Sequence, residues 1–267
     1  MKRPIGIIGG SGVKSILKGA QKILGTPYGP TPNLTMGEID SRPAVFLPRH
    51  GENHSSPPHK VNYRANIWGL KSLGVERIIA TNAVGAIDQQ LTLGEIVVPS
   101  DIVDVTKSRI GTFYESSAVT HIDVSQPYCP KIREILTSST LATGRSRPKD
   151  VVMACTEGPR YETSAEIKML RTMGCQIVGM TGAPEAFLAR ELEMCYASIS
   201  FVSNMAAGLQ RTLSAREVEE KGHETSQLLN KILAGAIAKI PESRKDCPCG
   251  TALAHAQLKR EETQEIA

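Results

Sequence analysis

Aromatic residues make up only 4% of this 267-residue chain, with a single tryptophan, and no stretch sets them between Arg or Lys side chains. That excludes the stacking platform on which single-stranded nucleic acid is held. No block of like charge precedes the C-terminal tail, and the formal net charge is only +4. A nucleic-acid binder would instead gather its basic residues along one face. Long apolar runs are missing too. Ile232–Ile240, the most apolar C-terminal stretch, falls far short of the ~20 residues a spanning helix needs. The apolar run behind Met1-Lys2-Arg3 breaks at Gly9-Gly10, too short for a secretory leader. The chain is therefore expected to work in the cytoplasm, with no nucleic acid and no membrane as partner.

Cysteine is sparse, at six residues. Cys129, Cys155, Cys175 and Cys195 lie in or beside apolar segments and read as buried thiols. Cys247 and Cys249 form a C-P-C in a polar tail. A zinc site normally needs two such pairs or nearby histidines, and only His255 is close. Exposed thiols are the plain reading there, with a disulfide also open, and no metal is assigned.

What is present is ordinary for a globular chain: 40% hydrophobic and 22% charged residues, 23 Gly and 16 Pro,. Apolar runs at Ile5–Ile8, Ala44–Leu47, Arg77–Thr81, Glu95–Val98, Val151–Cys155, Gln176–Met180 and Cys195–Val202 predict strands. Helical patterns cover Asn62–Leu73, Pro130–Ser138, Ser164–Met173, Pro184–Leu192 and Ala215–Ile240. Strand and helix taking turns argues an α/β fold around a largely buried central sheet. No repeat and no linker divides the chain, so residues 1–240 are read as one domain. Residues 241–267 form a polar tail that caps a neighbour or lacks fixed structure.

Three loops carry chemistry. IGIIGGSG (Ile5–Gly12) runs a strand into a tight glycine turn. It lacks the third glycine of a dinucleotide fingerprint, since Ser15 stands there, and it lacks the Gly-Lys-Ser/Thr of a P-loop. An anion nest of backbone N–H groups with the Ser11 hydroxyl fits better, beside the alternative of a turn that binds nothing. Arg49-His50-Gly51 follows the strand AVFLP, and an Arg fork at a strand end suits a phosphate dianion, with His50 as second donor. His50, His54 and His59 as metal ligands, or as incidental loop residues, remain open. TNAVG (81–85) offers another set of backbone N–H groups.

Glu162, in TEGPRYETSAE (156–166), and Asn204, in SNMAAG (203–208), bring opposite hydrogen-bonding groups. An ionised Glu only accepts, whereas an Asn amide donates and accepts. A 6-oxopurine shows the matching edge, an N1–H donor beside an O6 acceptor. A purely structural role for Glu162, as a carboxylate at a helix N-terminus beside Thr163 and Ser164, competes with that reading.

GIIGGSG, PRHGENH, KVNYRANIWGL, TNAVGAI, TEGPRYE, GMTGAPE and YASISFVSN, in this order and spacing, resemble the trimeric purine nucleoside phosphorylases, and within them the methylthioadenosine phosphorylase branch. The resemblance runs from Ile5 to about Ile240. It implies a three-layer αβα phosphorylase fold with a central mixed β-sheet flanked by helices, and an enzyme that phosphorolyses purine nucleosides to free base and ribose 1-phosphate. Carried over by position, Ser11, Arg49, His50, Asn82, Ala83 and Thr181 would surround phosphate. Met180 would lie against the ribose, Tyr161 on the base, and Asn204, Met205 and Ala206 along the purine's N7 and C6 side. Asn204, Arg49 and His50 would carry the catalysis. Inorganic phosphate is a co-substrate, and no cofactor or metal is implied. Relatives form trimers, or hexamers as paired trimers, and the loop Thr106–His121 would then reach a neighbour's site with Phe113 or His121.

Departures from the branch decide the substrate. Asp occupies the positions of Asn204 and Ala206 there, and a small residue that of Glu162. Adenine would turn its N1 lone pair on the Glu162 carboxylate with no proton between them, at a cost of about 1–3 kcal/mol or more. The expected substrates are therefore inosine and guanosine. Ala215, with Arg216 beside it, falls where inosine-guanosine members place a His over the 5′-hydroxyl, so 5′-methylthioinosine is a further candidate. The alternative is a methylthioadenosine or adenosine phosphorylase. Outside the class, a nucleoside-binding sensor would show no turnover.

Overall fold

The computed structural model describes residues 2–11, 16–116, 119–245 and 247–257. Gly12 and Ser15 of the first glycine loop lie outside the described residues, as do 258–267 of the tail. Among the described residues eleven strands run in chain order: β1 (Ile5–Gly9), β2 (Ala20–Lys22), β3 (Gly25–Thr26), β4 (Gly29–Pro30), β5 (Leu34–Ile39), β6 (Arg42–Pro48), β7 (Arg77–Ala86), β8 (Ile96–Asp104), β9 (Lys149–Cys155), β10 (Ile177–Gly179) and β11 (Cys195–Met205). The α-helices are α1 (Tyr63–Ser72), α2 (Pro130–Leu141), α3 (Ser164–Thr172), α4 (Gly182–Glu191) and α5 (Ala215–Lys239).

Nine strands form one mixed sheet in the order β10-β9-β8-β11-β7-β1-β6-β5-β2, and β10 also pairs with β7. That extra antiparallel pairing closes β7, β11, β8, β9 and β10 into a ring at one end of the sheet. The middle strands β6, β1, β7 and β11 are parallel to one another. Strands covered on both faces read as unbroken apolar runs, which is why IGIIG is buried at every position,. On one face α2 and α5 pack Ile135, Leu136, Leu229 and Leu233 against Ile79, Ile199 and Phe201. On the other, α1 and α4 pack Ile67, Leu70 and Leu188 against Ile8, Leu47 and Ile78. The arrangement is the mixed three-layer αβα sandwich expected. Among the described residues no helix is long and apolar enough to cross a membrane.

Every expected strand and helix is present, with shifted ends. β5 was not foreseen. Its sequence, LTMGEI, buries only its first and last residues and shows no apolar run, yet it pairs with β6. β7 extends well past Thr81 because TNAVGA keeps pairing with β11. The tail up to Gln257 packs on its own chain. Arg77 donates to the carbonyls of Glu242 and Ser243 at 3.1 and 2.7 Å, Arg244 pairs with Glu76 at 3.2 Å, and the His121 N–H donates to the Ala256 carbonyl at 2.7 Å. Cys249 is consequently buried, and Cys247 half-buried, rather than exposed.

Candidate active site

Parallel strands deliver the first group of residues at their C-terminal ends, where open α/β sheets bind ligands. Ile8 of β1 lies opposite Ala80 of β7, and Gly9 opposite Pro48 of β6, so Gly10, Arg49 and Thr81 become neighbours. The Gly10 N–H donates to Thr81 Oγ1 at 3.0 Å. A Cβ on Gly10 would stand 2.4 Å from the Thr81 carbonyl oxygen and 2.7 Å from Arg49 Nη1, so only glycine fits.

Arg49 is buried to 2% exposure and already engaged. Its Nε and Nη2 donate to the two carboxylate oxygens of Glu185, and Nη1 donates to the Thr81 carbonyl at 2.9 Å. Burial opposes the charge, but the charge and hydrogen bonds of Glu185 drive the guanidinium pKa above its usual value. A guanidinium has five N–H donors. Three are used here, leaving one on each terminal nitrogen for an anion. Glu185 also accepts from the Tyr196 hydroxyl at 2.8 Å. Neither Glu185 nor Tyr196 was singled out in the sequence, although Glu185 closes the GMTGAPE motif. A carboxylate in the otherwise apolar start of α4, four residues after the Thr181 N-cap, was the available signal.

His50 donates Nδ1–H to the Ser56 carbonyl at 2.9 Å, and its ring stacks on His54 with centroids 4.6 Å apart. Burial, then the Arg49 charge, push its pKa down to about 4. The neutral ring with Nδ1 protonated presents Nε2 as an acceptor. Toward phosphate His50 therefore suits the proton of a P–OH, where the sequence suggested a second donor. Its folded pKa lies below the ordinary 6.5, so unfolding takes up a proton between these values. The stability it contributes is complete above pH 6.5 and is lost as pH falls toward 4. In a proton NMR titration of the free protein the His50 ring signals should shift with a midpoint near pH 4. A midpoint near 6.5 would contradict the buried neutral ring.

Ser11 completes this corner, with its Oγ 3.0 Å from His54 Nε2. Asn82 donates Nδ2–H to Ser198 Oγ and accepts from Thr181 Oγ1 at 3.2 Å, with Ala83 next along β7. Thr181 stands at the N-cap of α4 without capping it, and the first N–H groups of that helix, those of Gly182 and Ala183, point at the Cys155 sulfur. Ser11, Arg49, His50, Asn82, Ala83 and Thr181 are thus brought together.

A second group lies farther along β7, β10 and β11. A β-bulge between Val202 and Asn204 re-aims the strand and sets Asn204 opposite Gly85,. Asn204 Oδ1 accepts from Ser203 Oγ at 2.7 Å and Nδ2 donates to the Met205 carbonyl at 2.9 Å. A carbonyl cannot donate, so these partners fix which end of the amide is which, and one N–H stays free. Gly85 faces both the Asn204 amide and Val178 of β10. From β10 the Gly179 carbonyl accepts the Thr156 N–H, and Thr156 Oγ1 donates to Glu162 Oε1 at 2.6 Å. Met180 lies against Gly158, whose Cβ position would be 2.6 Å from the Met180 sulfur. Tyr161 is half-buried, its hydroxyl pKa raised by burial and then by Glu217 and Glu162. Met205 N–H donates to Gln210, which in turn donates to Glu217, while Ala206 is buried and pairs with Ala86.

The helix-start alternative for Glu162 fails on geometry. Thr163 caps α3 and Glu166 completes the capping box, so Glu162 has no part in it,. It is held by Thr156 and keeps its other oxygen.

Not every expected residue converges. Arg216 pairs with Glu220 at 2.7 Å with its side chain 86% exposed, so it lines no enclosed site within this chain, and Ala215 is an exposed first residue of α5. Phe113 packs between Tyr28 and Trp68 while its N–H donates to Glu191. Arg109 from the same loop was not anticipated. It donates to the carbonyls of Met180, Thr156 and Glu157 at 2.6, 3.1 and 2.5 Å, tying that loop to the 156–162 segment.

Comparison with known proteins adds the family. Residues 4–238 match the phosphorylase superfamily. The chain is 46% identical over 265 residues to a probable S-methyl-5′-thioinosine phosphorylase of Methanothermobacter thermautotrophicus, covering 97% of this chain and 92% of that protein. It is 45% identical over 259 residues to the 6-oxopurine nucleoside phosphorylase of Pyrococcus furiosus, covering 93% and 97%. A methylthioadenosine phosphorylase from an antarctic soil metagenomic library superposes with a TM-score of 0.89 at 32% identity, over 96% of this chain and 93% of that one.

Proposed function

Because the chain belongs to the phosphorylase superfamily, we propose that it phosphorolyses 6-oxopurine nucleosides (inosine, guanosine and 5′-methylthioinosine) to free base and ribose 1-phosphate or its 5-methylthio form. The observation that carries this is Glu162, a carboxylate excused from helix capping and held by Thr156, while Asn204 offers an oriented amide from β11. Relatives named for thioinosine and 6-oxopurine nucleosides support it.

Phosphate sits among Gly10, Ser11, Arg49, His50, Asn82, Ala83 and Thr181. Arg49 is held by Glu185 and gives its two remaining N–H groups, and His50 Nε2 accepts the phosphate's own proton. A phosphate oxygen attacks C1′ as the C1′–N9 bond breaks, and the bonding pair leaves with the purine. Negative charge then gathers on the ring near N7 and O6. The free Asn204 N–H meets it there, and this hydrogen bond is stronger in the transition state than before. Glu162 accepts the N1–H and so admits only bases that carry it. The leaving base takes a proton from solvent or phosphate. The enzyme would then serve purine salvage in the cytoplasm, as a trimer or paired trimers.

Two outcomes are specified. Hypoxanthine release from inosine should require inorganic phosphate and yield ribose 1-phosphate in equal amount; free ribose without phosphate would make the protein a hydrolase and refute the reading. Glu162→Gln should lower kcat/KM for inosine by about 10- to 100-fold, the worth of one charge-assisted hydrogen bond. It should also raise relative adenosine activity, since a Gln amide can donate to N1. Full inosine activity in this variant would remove Glu162 from the site.

A further inference from the structure

Four cysteines far apart in sequence meet at the end of the sheet opposite the candidate active site. Cys129 precedes α2, Cys195 opens β11, and Cys247 and Cys249 flank Pro248 in the tail. All four Sγ atoms lie within 4.8 Å of one another, and Cys195 and Cys247 are 3.5 Å apart. A zinc ion bonded to four thiolates at about 2.3 Å sets them roughly 3.8 Å apart, whereas a disulfide needs about 2.0 Å. We propose that Cys129, Cys195, Cys247 and Cys249 form a structural tetrathiolate site for zinc or a similar thiophilic divalent cation. The site staples the tail to α2 and β11, and departs from the sequence reading, which assigned no metal.

The surroundings fit the charge of such a centre. Arg77 and Arg244 line the small cavity beside Cys129, Cys195 and Cys247, offsetting the two net negative charges of a zinc tetrathiolate. Backbone N–H groups of Ile132 and Lys131 also point at the Cys129 sulfur. Loading the metal displaces thiol protons to solvent.

The C-P-C pair gives two ligands from the tail, so the metal fixes the segment whose Ala256 carbonyl receives the His121 N–H. Cys195 and Asn204 lie at opposite ends of β11, about 30 Å apart at ~3.3 Å per residue. Metal removal should thus loosen the tail without touching the chemistry.

The test uses full-length protein, reduced and stripped of metal, titrated with Co(II) and then Zn(II). One Co(II) per chain should bind, with the sulfur-to-metal charge-transfer and d–d bands of a tetrahedral thiolate site, and Zn(II) should displace it. Cys175→Ser should behave as wild type, while Cys129→Ser and Cys249→Ser lose the spectrum. Zinc loading should raise Tm by about 5–10 °C and protect the tail from proteolysis, with kcat unchanged at room temperature. Two results would overturn the proposal: reduced wild-type protein that takes up no Co(II), or uptake indifferent to the cysteine variants. Recovery of the four cysteines as two disulfides from a reducing cytosol would overturn it too. Because these readouts do not use nucleoside turnover, they stand or fall separately from the proposed activity.

Discussion

Asn204→Ala should lower kcat for inosine by about 10²- to 10³-fold, the loss found when one preorganised donor to a developing anion is removed. The side chain sits on a β-bulge with both amide ends already engaged by Ser203 and Met205. Its free N–H therefore needs no reorganisation as the purine leaves. KM should change little, because the interaction gains most of its strength only as the glycosidic bond breaks. Burial of Asn204 is nearly complete, but its neighbours are backbone carbonyl and hydroxyl groups, so Tm should fall by only a few degrees. Steady-state rates with phosphate saturating are the measurement. A variant with wild-type kcat and a raised KM would mean that Asn204 only binds.

Glu185→Ala should be the most damaging single change to stability. It leaves the Arg49 charge buried without a counter-ion and the Tyr196 hydroxyl without its acceptor. Breaking one side of a buried ion pair costs about 3–5 kcal/mol, a fall in Tm of about 10 °C for a chain of this size. Glu185→Gln keeps the shape and part of the hydrogen bonding and should cost less. Because Arg49 would lose its orientation, KM for phosphate should rise in both variants more than KM for inosine. Thermal melts and separate saturation curves for the two substrates test this. Unchanged Tm with Glu185→Ala would show that Arg49 does not depend on it. A uniform loss of both affinities would deny Glu185 a specific positioning role.

Much of this was legible in the sequence because strand ends announce themselves. Apolar runs closing on Gly10-Ser11, Arg49-His50 and Thr81-Asn82 marked three candidate anion loops, which parallel strands deliver to one corner, while the full phosphate-binding set came only from the family resemblance. Local rules stopped where partners come from distant segments. Glu162 stood next to a helix start, and only the capping box of Thr163 with Glu166 shows that the carboxylate is spare. Glu185 was in view within its motif, but its partners Arg49 and Tyr196 come from β6 and β11. The protonation of His50 depends on burial and on the Ser56 carbonyl, neither of which a motif records. The four cysteines never resembled a metal motif, because two of them come singly from the ends of α2 and β11. β5 escaped because its partner, not its own pattern, makes it a strand.

The central claim is that Glu162 and Asn204 read the 6-oxo edge of a purine. Its most direct test is phosphate-dependent base release from inosine, guanosine, 5′-methylthioinosine, adenosine and 5′-methylthioadenosine, ranked by kcat/KM. The account predicts turnover of the first three, and their order reports what Ala215 admits at the 5′ position. Efficient turnover of adenosine and 5′-methylthioadenosine, with the 6-oxopurines slow, would contradict it.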